Sequence, residues 1–208
     1  MRRILYLSCS PKGGASICQT FAQAVLARLR QRHPAAEVEH RDLAAAPPPF
    51  VDAEFCAAIM VPDTSARAFA ASEALIGQLE RADAVVIATP MHNYSVPAVL
   101  KAWIDQVVRI HRSFASIPSG KVGTLRDRPV FVVVASGGWF TGPSPSGAPA
   151  QPDFLTPYLR AIFNTIGLTD FHVLALEGVT RGPEMRDQAF ARAQAALNRI
   201  LPETAADC

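Results

Sequence analysis

The stretch that decides the fold is Ala88-Thr89-Pro90-Met91-His92-Asn93-Tyr94-Ser95-Val96-Pro97-Ala98. Residues 84–88 form an apolar run that predicts a buried strand, and apolar residues then recur at helical spacing as far as Arg109. A strand therefore leads into a polar loop with two prolines, and a helix follows. Because ligands bind outside the carboxyl ends of strands in an open parallel sheet, we expect this loop to contact a ligand.

The same alternation of strand and helix runs along the whole chain. The predicted strands cover residues 3–8, 37–43, 83–89, 130–135 and 171–176. The predicted helices cover residues 16–33, 52–61, 65–81, 154–166 and 183–201, besides the helix that ends at Arg109. This pattern predicts an α/β fold, a doubly wound five-stranded parallel sheet of order 2-1-3-4-5 between two helical layers, with segment 37–43 at the edge.

Composition restricts the class of protein. Half of the 208 residues are hydrophobic, which is enough for one core, so we expect a single domain over residues 1–208. The formal net charge is +2, and no basic stripe suggests nucleic-acid binding. The N-terminal apolar run 4–7 is too short for a signal peptide or a membrane span. We therefore predict a cytoplasmic protein without nucleic-acid or membrane partners.

The cysteines and histidines do not form a recognisable metal motif. Cys9, Cys18, Cys56 and Cys208 lack any CxxC spacing, and the five histidines are equally dispersed. Free thiols are expected in a reducing compartment. We predict no metal site.

The segment after the first predicted strand has the properties of a phosphate-binding loop. Residues 9–15 are rich in small residues, and Ser16 is a plausible N-cap for the helix that follows. The N–H groups and dipole of a helix start bind phosphate. The segment matches neither GxxxxGK[ST] nor GxGxxG, which argues against a nucleoside triphosphate and a standard dinucleotide site.

Three loops, 10–18, 91–94 and 135–138, are expected to converge at one edge of the predicted sheet. The first offers hydroxyl and N–H donors suited to one phosphate. The others offer the amide of Asn93, the ring of Tyr94 and glycine N–H groups, which suit a flat heteroaromatic ring with carbonyl acceptors. These features together describe flavin mononucleotide (FMN), although other phosphorylated ligands of this common fold stay open.

The segment from Pro90 to Asp105, PMHNYSVPAVLKAWID, resembles the signature P-M-[YWH]-N-[FY]-x-[IV]-P-x-x-L-K-x-[WY]-[IF]-D. That signature belongs to the FMN-dependent NADH:quinone and NADH:azo-compound oxidoreductases, the bacterial azoreductase family. Further landmarks of the family occur in the expected order: Arg41-Asp42-Leu43, Thr156-Pro157-Tyr158-Leu159, Ile166-Gly167, Glu177-Gly178 and Gly182-Pro183-Glu184.

The resemblance implies a flavodoxin-like fold and a homodimer with FMN sites near the interface. It also implies alternating reduction by NADH or NADPH and oxidation by a quinone or azo substrate. The residues that it assigns to FMN are Ser10, Ser16, Ile17 and Cys18 at the phosphate, and Met91, His92, Asn93, Tyr94, Ala135, Ser136, Gly137 and Gly138 around the isoalloxazine ring. Since hydride transfer is the chemistry of the flavin itself, no catalytic side chain is expected. Asn93, Gly137 and Gly138 are the candidates for tuning the flavin.

Four positions depart from the family pattern. The family usually has serine at position 18, often has tyrosine at position 92 and often begins the glycine loop with serine, where this chain has Cys18, His92 and Ala135. An aromatic residue of the partner subunit tends to cover the flavin near position 165, where Thr165 stands. These departures are expected to change FMN affinity or substrate choice while leaving the backbone donors in place.

Several residues also have simpler interpretations. Ser16 could act only as an N-cap, and Gly137-Gly138 only as a turn. We expect His92 to contact the flavin edge rather than to act as an acid or base, Trp103 to lie in the core or dimer interface, and Cys18 to be a packing residue rather than a redox sensor. Residues 139–152 could form a mobile loop over the site.

Two other functions compete with the enzyme. A flavodoxin-type electron carrier would bind FMN without turnover of its own, but such carriers are usually acidic and this chain is near neutral. A regulatory or structural relative could have lost FMN through the change at Cys18.

Overall fold

The computed structural model describes residues 1–60 and 67–203. Seven strands occur in these ranges: β1 (Arg3–Ser8), β2 (Glu37–Asp42), β3 (Ala84–Pro90), β4 (Phe114–Ile117), β5 (Gly120–Gly123), β6 (Val130–Ser136) and β7 (Phe171–Glu177). Five of them form a parallel sheet of order β2-β1-β3-β6-β7. This is the predicted order 2-1-3-4-5, and β2 lies at an edge as expected.

Helices cover both faces of this sheet. In the described residues they are α1 (Ile17–Arg32), α2 (Ala53–Met60), α3 (Ala70–Arg81), α4 (Ala98–Val107), α5 (Thr156–Thr165) and α6 (Pro183–Ile200). One apolar cluster joins the sheet to α3, α4 and α5, and a second joins it to α1 and α6. The doubly wound, three-layer architecture is thereby confirmed.

The central strands are apolar throughout because both of their faces are covered. Val85 packs into the first cluster, its neighbour Val86 packs into the second, and both are fully buried. Trp103 of α4 is fully buried in the first cluster, which confirms its prediction as a core residue. None of the helices in the described ranges combines the length and apolarity needed to cross a bilayer.

The antiparallel hairpin of β4 and β5 was not predicted. Its strands are only four residues long, and Ile117 and Val122 are exposed, so neither strand shows a buried face in its sequence. The hairpin follows α4, which ends at Val107 rather than at the predicted Arg109. The hydroxyl of Ser113 donates to the Val107 carbonyl at 2.6 Å and so turns the chain away from the helix.

Other helix boundaries differ by a few residues. α5 begins two residues later than predicted because the Asp153 carboxylate accepts from the N–H groups of Leu155 and Thr156, both at 2.9 Å. α3 begins at Ala70, and the start of its predicted range, 65–66, lies outside the described residues. Residue 61 of the predicted helix 52–61 and Cys208 also lie outside them.

Candidate functional site

A cleft of ≈ 260 Å³ lies at the carboxyl ends of β1, β3 and β6. The strand register brings these ends together, since Ser8 pairs with Ala88 and Pro90 pairs with Ala135. The N–H of Met91 also donates to the Ala135 carbonyl at 2.8 Å and joins two of the loops. The convergence predicted for the three loops is therefore present.

Most of the sequence-predicted residues line this cleft. They are Ser10, Ser16, Ile17, Cys18, Met91, His92, Ala135 and Gly137. Asn93, Tyr94, Ser136 and Gly138 do not line it. Asn93, Ser136 and Gly138 are the chain neighbours of residues that do, and Tyr94 lies two positions from His92. The structure therefore gathers the predicted positions around one edge of the sheet.

Sequence reasoning missed six further lining residues: Pro11, Lys12, Ala15, Pro90, Val179 and Thr180. Lys12 lies inside the small-residue loop that was predicted to hold phosphate, so its positive charge was available as a signal. Val179 and Thr180 follow β7, a strand whose loop had no unusual composition. Thr180 packs against the glycine loop: its hydroxyl oxygen lies 2.9 Å from the position that a Cβ on Gly137 would occupy.

At one end of the cleft the start of α1 supplies hydrogen-bond donors. Ser16 is the N-cap, as predicted, and its hydroxyl accepts from the Gln19 N–H at 3.5 Å. The Gln19 side chain donates to the Ser10 carbonyl at 3.3 Å and fixes the preceding loop. The N–H groups of the first helical turn have no intrahelical partner and face an anion favourably. Together with Lys12, they fit a phosphate group.

Cys18 contributes a neutral group to this end. Burial raises the pKa of its thiol, although the Ser16 hydroxyl, 3.1 Å from the sulfur, opposes the shift. Burial likewise raises the pKa of Cys9 and of Tyr6, which belong to the core beneath the loop. None of these groups is ionised near neutral pH, so none repels a bound anion. A neutral, buried thiol agrees with a packing residue and not with a redox-sensing thiolate.

At the other end of the cleft, residues 92–95 form a tight turn. His92 and Ser95 exchange two backbone hydrogen bonds of 2.9 Å. Asn93 and Tyr94 between them have φ angles of 48° and 68°, the left-handed region that most side chains avoid. Asparagine tolerates this region, but for tyrosine it is costly, and such strain concentrates at functional sites. Both side chains are exposed beside the cleft.

His92 has no partner that would position it for acid–base chemistry. Its side chain is exposed, and within the described part of the chain its imidazole makes no hydrogen bond or ion pair. A general acid or base needs a defined orientation toward the proton it moves. The contact role expected for His92 stays a prediction.

The glycine loop is packed so closely that side chains would not fit. A Cβ on Gly138 would overlap the carboxamide of Gln151, and a Cβ on Gly137 would crowd Thr180. The Gly138 N–H donates to the Ser136 hydroxyl at 3.2 Å. The glycines therefore have a packing role in addition to any contact with a ligand.

The long segment 139–152 is irregular, as predicted, and it is fastened at both ends. The carboxylate of Glu177, which is buried, accepts from the N–H groups of Phe140 (2.7 Å) and Thr141 (2.8 Å) and from the Thr141 hydroxyl (2.9 Å). At its far end, Gln151 donates its backbone N–H to the Trp139 carbonyl at 2.7 Å. Whether the loop moves over the site stays a prediction.

Gln151 was not predicted as a site residue, and it connects this loop to the cleft. Its side-chain nitrogen donates to the Ser136 hydroxyl at 2.9 Å and approaches the Met91 sulfur at 3.1 Å. A thioether sulfur can only accept, so the nitrogen must face Met91 and the carbonyl oxygen must face Gly138. No local sequence pattern could reveal a contact between residues 60 positions apart.

The donor set as a whole suits an organic phosphate rather than a metal ion. No group of three or more histidine, cysteine, aspartate or glutamate side chains in the described ranges could hold a metal. The cleft instead joins a cationic helix start to a loop of backbone donors and an aromatic turn. A molecule with a phosphate at one end and a planar polar ring at the other fits this arrangement.

Comparisons with known proteins agree with this geometry. Residues 2–201 match the family model described as a flavodoxin-like fold. FMN-dependent NADH:quinone oxidoreductase 4 of Pseudomonas fluorescens is 46% identical over 199 residues, which cover 95% of each chain.

Two solved structures from Bacillus anthracis share the fold. An azoreductase has a TM-score of 0.81 at 22% identity and covers 98% of this chain and 100% of its own. An FMN-dependent NADH-azoreductase in complex with FMN has a TM-score of 0.78 at 22% identity, with 97% and 100% covered. By the family match and the identity to its relatives, the chain belongs to the flavodoxin-like family that includes the FMN-dependent NADH:quinone oxidoreductases.

Proposed function

We propose that the protein is an FMN-dependent NAD(P)H oxidoreductase that reduces quinones by two electrons and cleaves aromatic azo compounds reductively. The observation that carries this proposal is the cleft between the start of α1 and the glycine loop, which has donors for both ends of FMN. The relative named as an FMN-dependent NADH:quinone oxidoreductase, 46% identical over nearly the whole chain, supports the activity.

Ser10, Ser16, Ile17 and Cys18 would hold the phosphate of FMN through hydroxyls and first-turn N–H groups, with Lys12 as the counter-charge. These groups lie on a loop and helix start that are already ordered by internal hydrogen bonds. FMN binding therefore costs little further ordering at this end.

Met91, His92, Asn93 and Tyr94 would border the ring on one side, and Ala135, Ser136, Gly137 and Gly138 on the other. When bound, FMN supplies the hydride chemistry, accepting two electrons from NADH or NADPH and passing them to the substrate. The chain supplies orientation and donors that stabilise negative charge on the reduced ring, for which Asn93, Gly137 and Gly138 are the candidates. No side chain is assigned a catalytic role.

A homodimer forms part of the proposal. Tyr94 and Phe154 are 45% and 63% exposed, although both are large and apolar, and the Phe154 N–H donates to the Tyr94 carbonyl at 3.0 Å. Phe154 lines a shallow groove together with Ser95, Val96 and Tyr158, and Tyr94 is the chain neighbour of Ser95. An exposed apolar patch next to a ligand site favours a protein partner, and a second copy of the chain would cover it.

The two competing functions have weaker support. The near-neutral net charge of the chain argues against an electron carrier, because such carriers are usually acidic. The oxidoreductase name of the similar relative also argues against it. A member without FMN was suggested by Cys18, but Lys12 and the helix start retain donors for phosphate. We also propose that residues 1–208 act as one FMN-binding domain, and that it works in the cytoplasm, which agrees with the free thiols of Cys9, Cys18 and Cys56.

The experiment is an FMN titration followed by anaerobic reduction and reoxidation. We expect FMN fluorescence to be quenched at a 1:1 ratio, NADH to bleach the bound flavin, and menadione or methyl red to restore its colour at each turnover. Asn93→Ala should weaken FMN retention or slow its reduction, whereas the control Asn164→Ala on the exposed side of α5 should not. Failure to bind FMN would overturn the proposal, and bleaching without reoxidation by quinone would favour the carrier.

A further inference from the structure

A second cavity lies beside the FMN cleft, between the 139–152 loop and the chain that follows β7. It has a volume of ≈ 170 Å³ and is lined by Gly138, Trp139, Ser144, Gln151 and Arg181, among others. Pockets that take a whole cofactor or drug-sized ligand usually measure about 300–1,000 Å³. This cavity therefore has room for one polar group of a larger molecule.

The walls of this cavity are formed in advance by hydrogen bonds. Ser144 and Ala148 are joined by a backbone bond of 2.8 Å, and the Ser144 hydroxyl accepts from the Ala148 N–H at 3.0 Å. The hydroxyls of Ser144 and Ser146 lie 2.9 Å apart. The bond from Gln151 to Trp139 closes the loop behind them. A pocket that is already shaped binds without a large ordering cost.

Arg181 gives the cavity a positive charge that the protein does not neutralise. Its guanidinium lies 5.2 Å from the centre of the Trp139 ring. Across the described ranges it forms no ion pair, and the carboxylate of Glu177, four residues earlier in the chain, already accepts from Phe140 and Thr141. A guanidinium held against an aromatic face keeps its in-plane N–H groups free, and these match the oxygens of a phosphate.

We propose that this cavity binds a phosphate group of the nicotinamide dinucleotide that reduces the flavin. The inference rests on the proposed function, in which this dinucleotide is the substrate that carries phosphates. The cavity borders Gly138, whose neighbour Gly137 lines the FMN cleft, so one molecule can reach both places. The phosphate of FMN itself is assigned to the start of α1, on the other side of the cleft.

The test measures the reductive half-reaction by anaerobic stopped flow with three hydride donors: NADH, NADPH and 1-benzyl-1,4-dihydronicotinamide, which has no phosphate. Arg181→Gln should raise the dissociation constant of the dinucleotide about tenfold, and Arg181→Lys should raise it less. The limiting rate of bleaching and the reaction with the phosphate-free donor should stay unchanged. Arg186→Gln, the same change at an exposed site on α6, is the matched control.

The choice of donor identifies the phosphate. An effect on both dinucleotides assigns the cavity to the 5′-phosphates that they share, and an effect on NADPH alone assigns it to the 2′-phosphate. Calorimetric titration with ADP-ribose and with its 2′-phosphate should show the same loss in Arg181→Gln. These titrations do not require flavin, so they test the cavity even when FMN binding fails.

Three results would overturn the inference. One is an unchanged dissociation constant for both dinucleotides in Arg181→Gln. Another is an equal effect on the phosphate-free donor, and the third is an equal effect of Arg186→Gln. Thermal unfolding of each variant excludes a loss of folding as the cause, since Arg181 is exposed and Arg181→Lys retains its charge.

Discussion

The two ends of the FMN cleft are built in different ways. At the α1 end, a helix start offers backbone donors, and the side chains there, such as Cys18, can vary without removing them. At the ring end, a turn with two left-handed residues meets a glycine loop that is packed against Gln151 and Thr180. The first end depends on secondary structure that any helix provides, and the second on particular side chains. Substitutions should therefore be tolerated at the first and damaging at the second.

The largest effect on stability is expected where Glu177 holds the start of segment 139–152. Glu177→Ala leaves the donors of Phe140 and Thr141 without an acceptor, and bonds to a charged group contribute about 1.5–3 kcal/mol each. We expect the free energy of unfolding in urea to fall by about 3 kcal/mol. Glu184→Ala, at an exposed glutamate in the first turn of α6, should change it by less than about 0.5 kcal/mol. Equal effects would show that the loop does not depend on Glu177.

The next effect concerns the packing of the glycine loop. Gly138→Ala forces the new methyl group against the Gln151 carboxamide, and overpacking costs about 1–3 kcal/mol. We expect FMN to bind about tenfold more weakly, a loss of about 1.4 kcal/mol, by fluorescence titration. The double variant with Gln151→Ala should recover part of this loss. If the two changes are simply additive, the contact with Gln151 is not the cause.

A smaller effect is expected at the turn, where backbone and side chain can be separated. Asn93→Ala places alanine at φ 48° and costs about 1 kcal/mol of stability, whereas Asn93→Gly relieves the backbone. If the Asn93 amide contacts the ring, both variants should bind FMN more weakly. If Asn93→Ala binds FMN weakly and Asn93→Gly binds it normally, Asn93 acts only through the conformation of the turn.

The smallest effect is expected at the α1 end. Cys18→Ser restores a stronger donor near the phosphate, yet backbone groups do most of the holding, so FMN affinity should rise by about threefold or less. Because the pKa of the buried thiol is raised, it stays neutral, and FMN affinity of the unmodified protein should be flat between pH 7 and 9. A drop in affinity toward pH 9 that Cys18→Ser abolishes would show that the thiol ionises.

Sequence reasoning reached the fold because its signals are local and strong. Apolar runs marked four of the five sheet strands, and a weak alternation of polar and apolar residues marked the edge strand β2. The alternation of strands with helices predicted a doubly wound parallel sheet, and the order 2-1-3-4-5 expected for it is the observed one. The β4–β5 hairpin lacks such a signal, since its short strands bury little. Helix boundaries depended on single polar side chains, Asp153 and Ser113, which a pattern of hydrophobicity does not identify.

For the site, sequence reasoning identified the loops but not their tertiary contacts. Eight of the twelve predicted residues line the cleft because the strands that precede them end at one edge of the sheet. Gln151 lies in the irregular segment before α5, and Thr180 and Arg181 follow β7. Only the folded chain brings these three residues near the glycine loop. Long-range packing of irregular segments is what the sequence alone could not supply.

The cleft takes its lining from segments at the ends of β1, β3, β6 and β7, so it exists only when these four strands are assembled. A ligand that binds only the folded chain lowers the unfolded population by mass action. When the ligand concentration is a hundred times the dissociation constant, the free energy of unfolding rises by about 2.7 kcal/mol. The flavin nucleotide supply of the cell would then set how much of this protein escapes proteolysis. Riboflavin starvation would deplete the polypeptide itself as well as its activity.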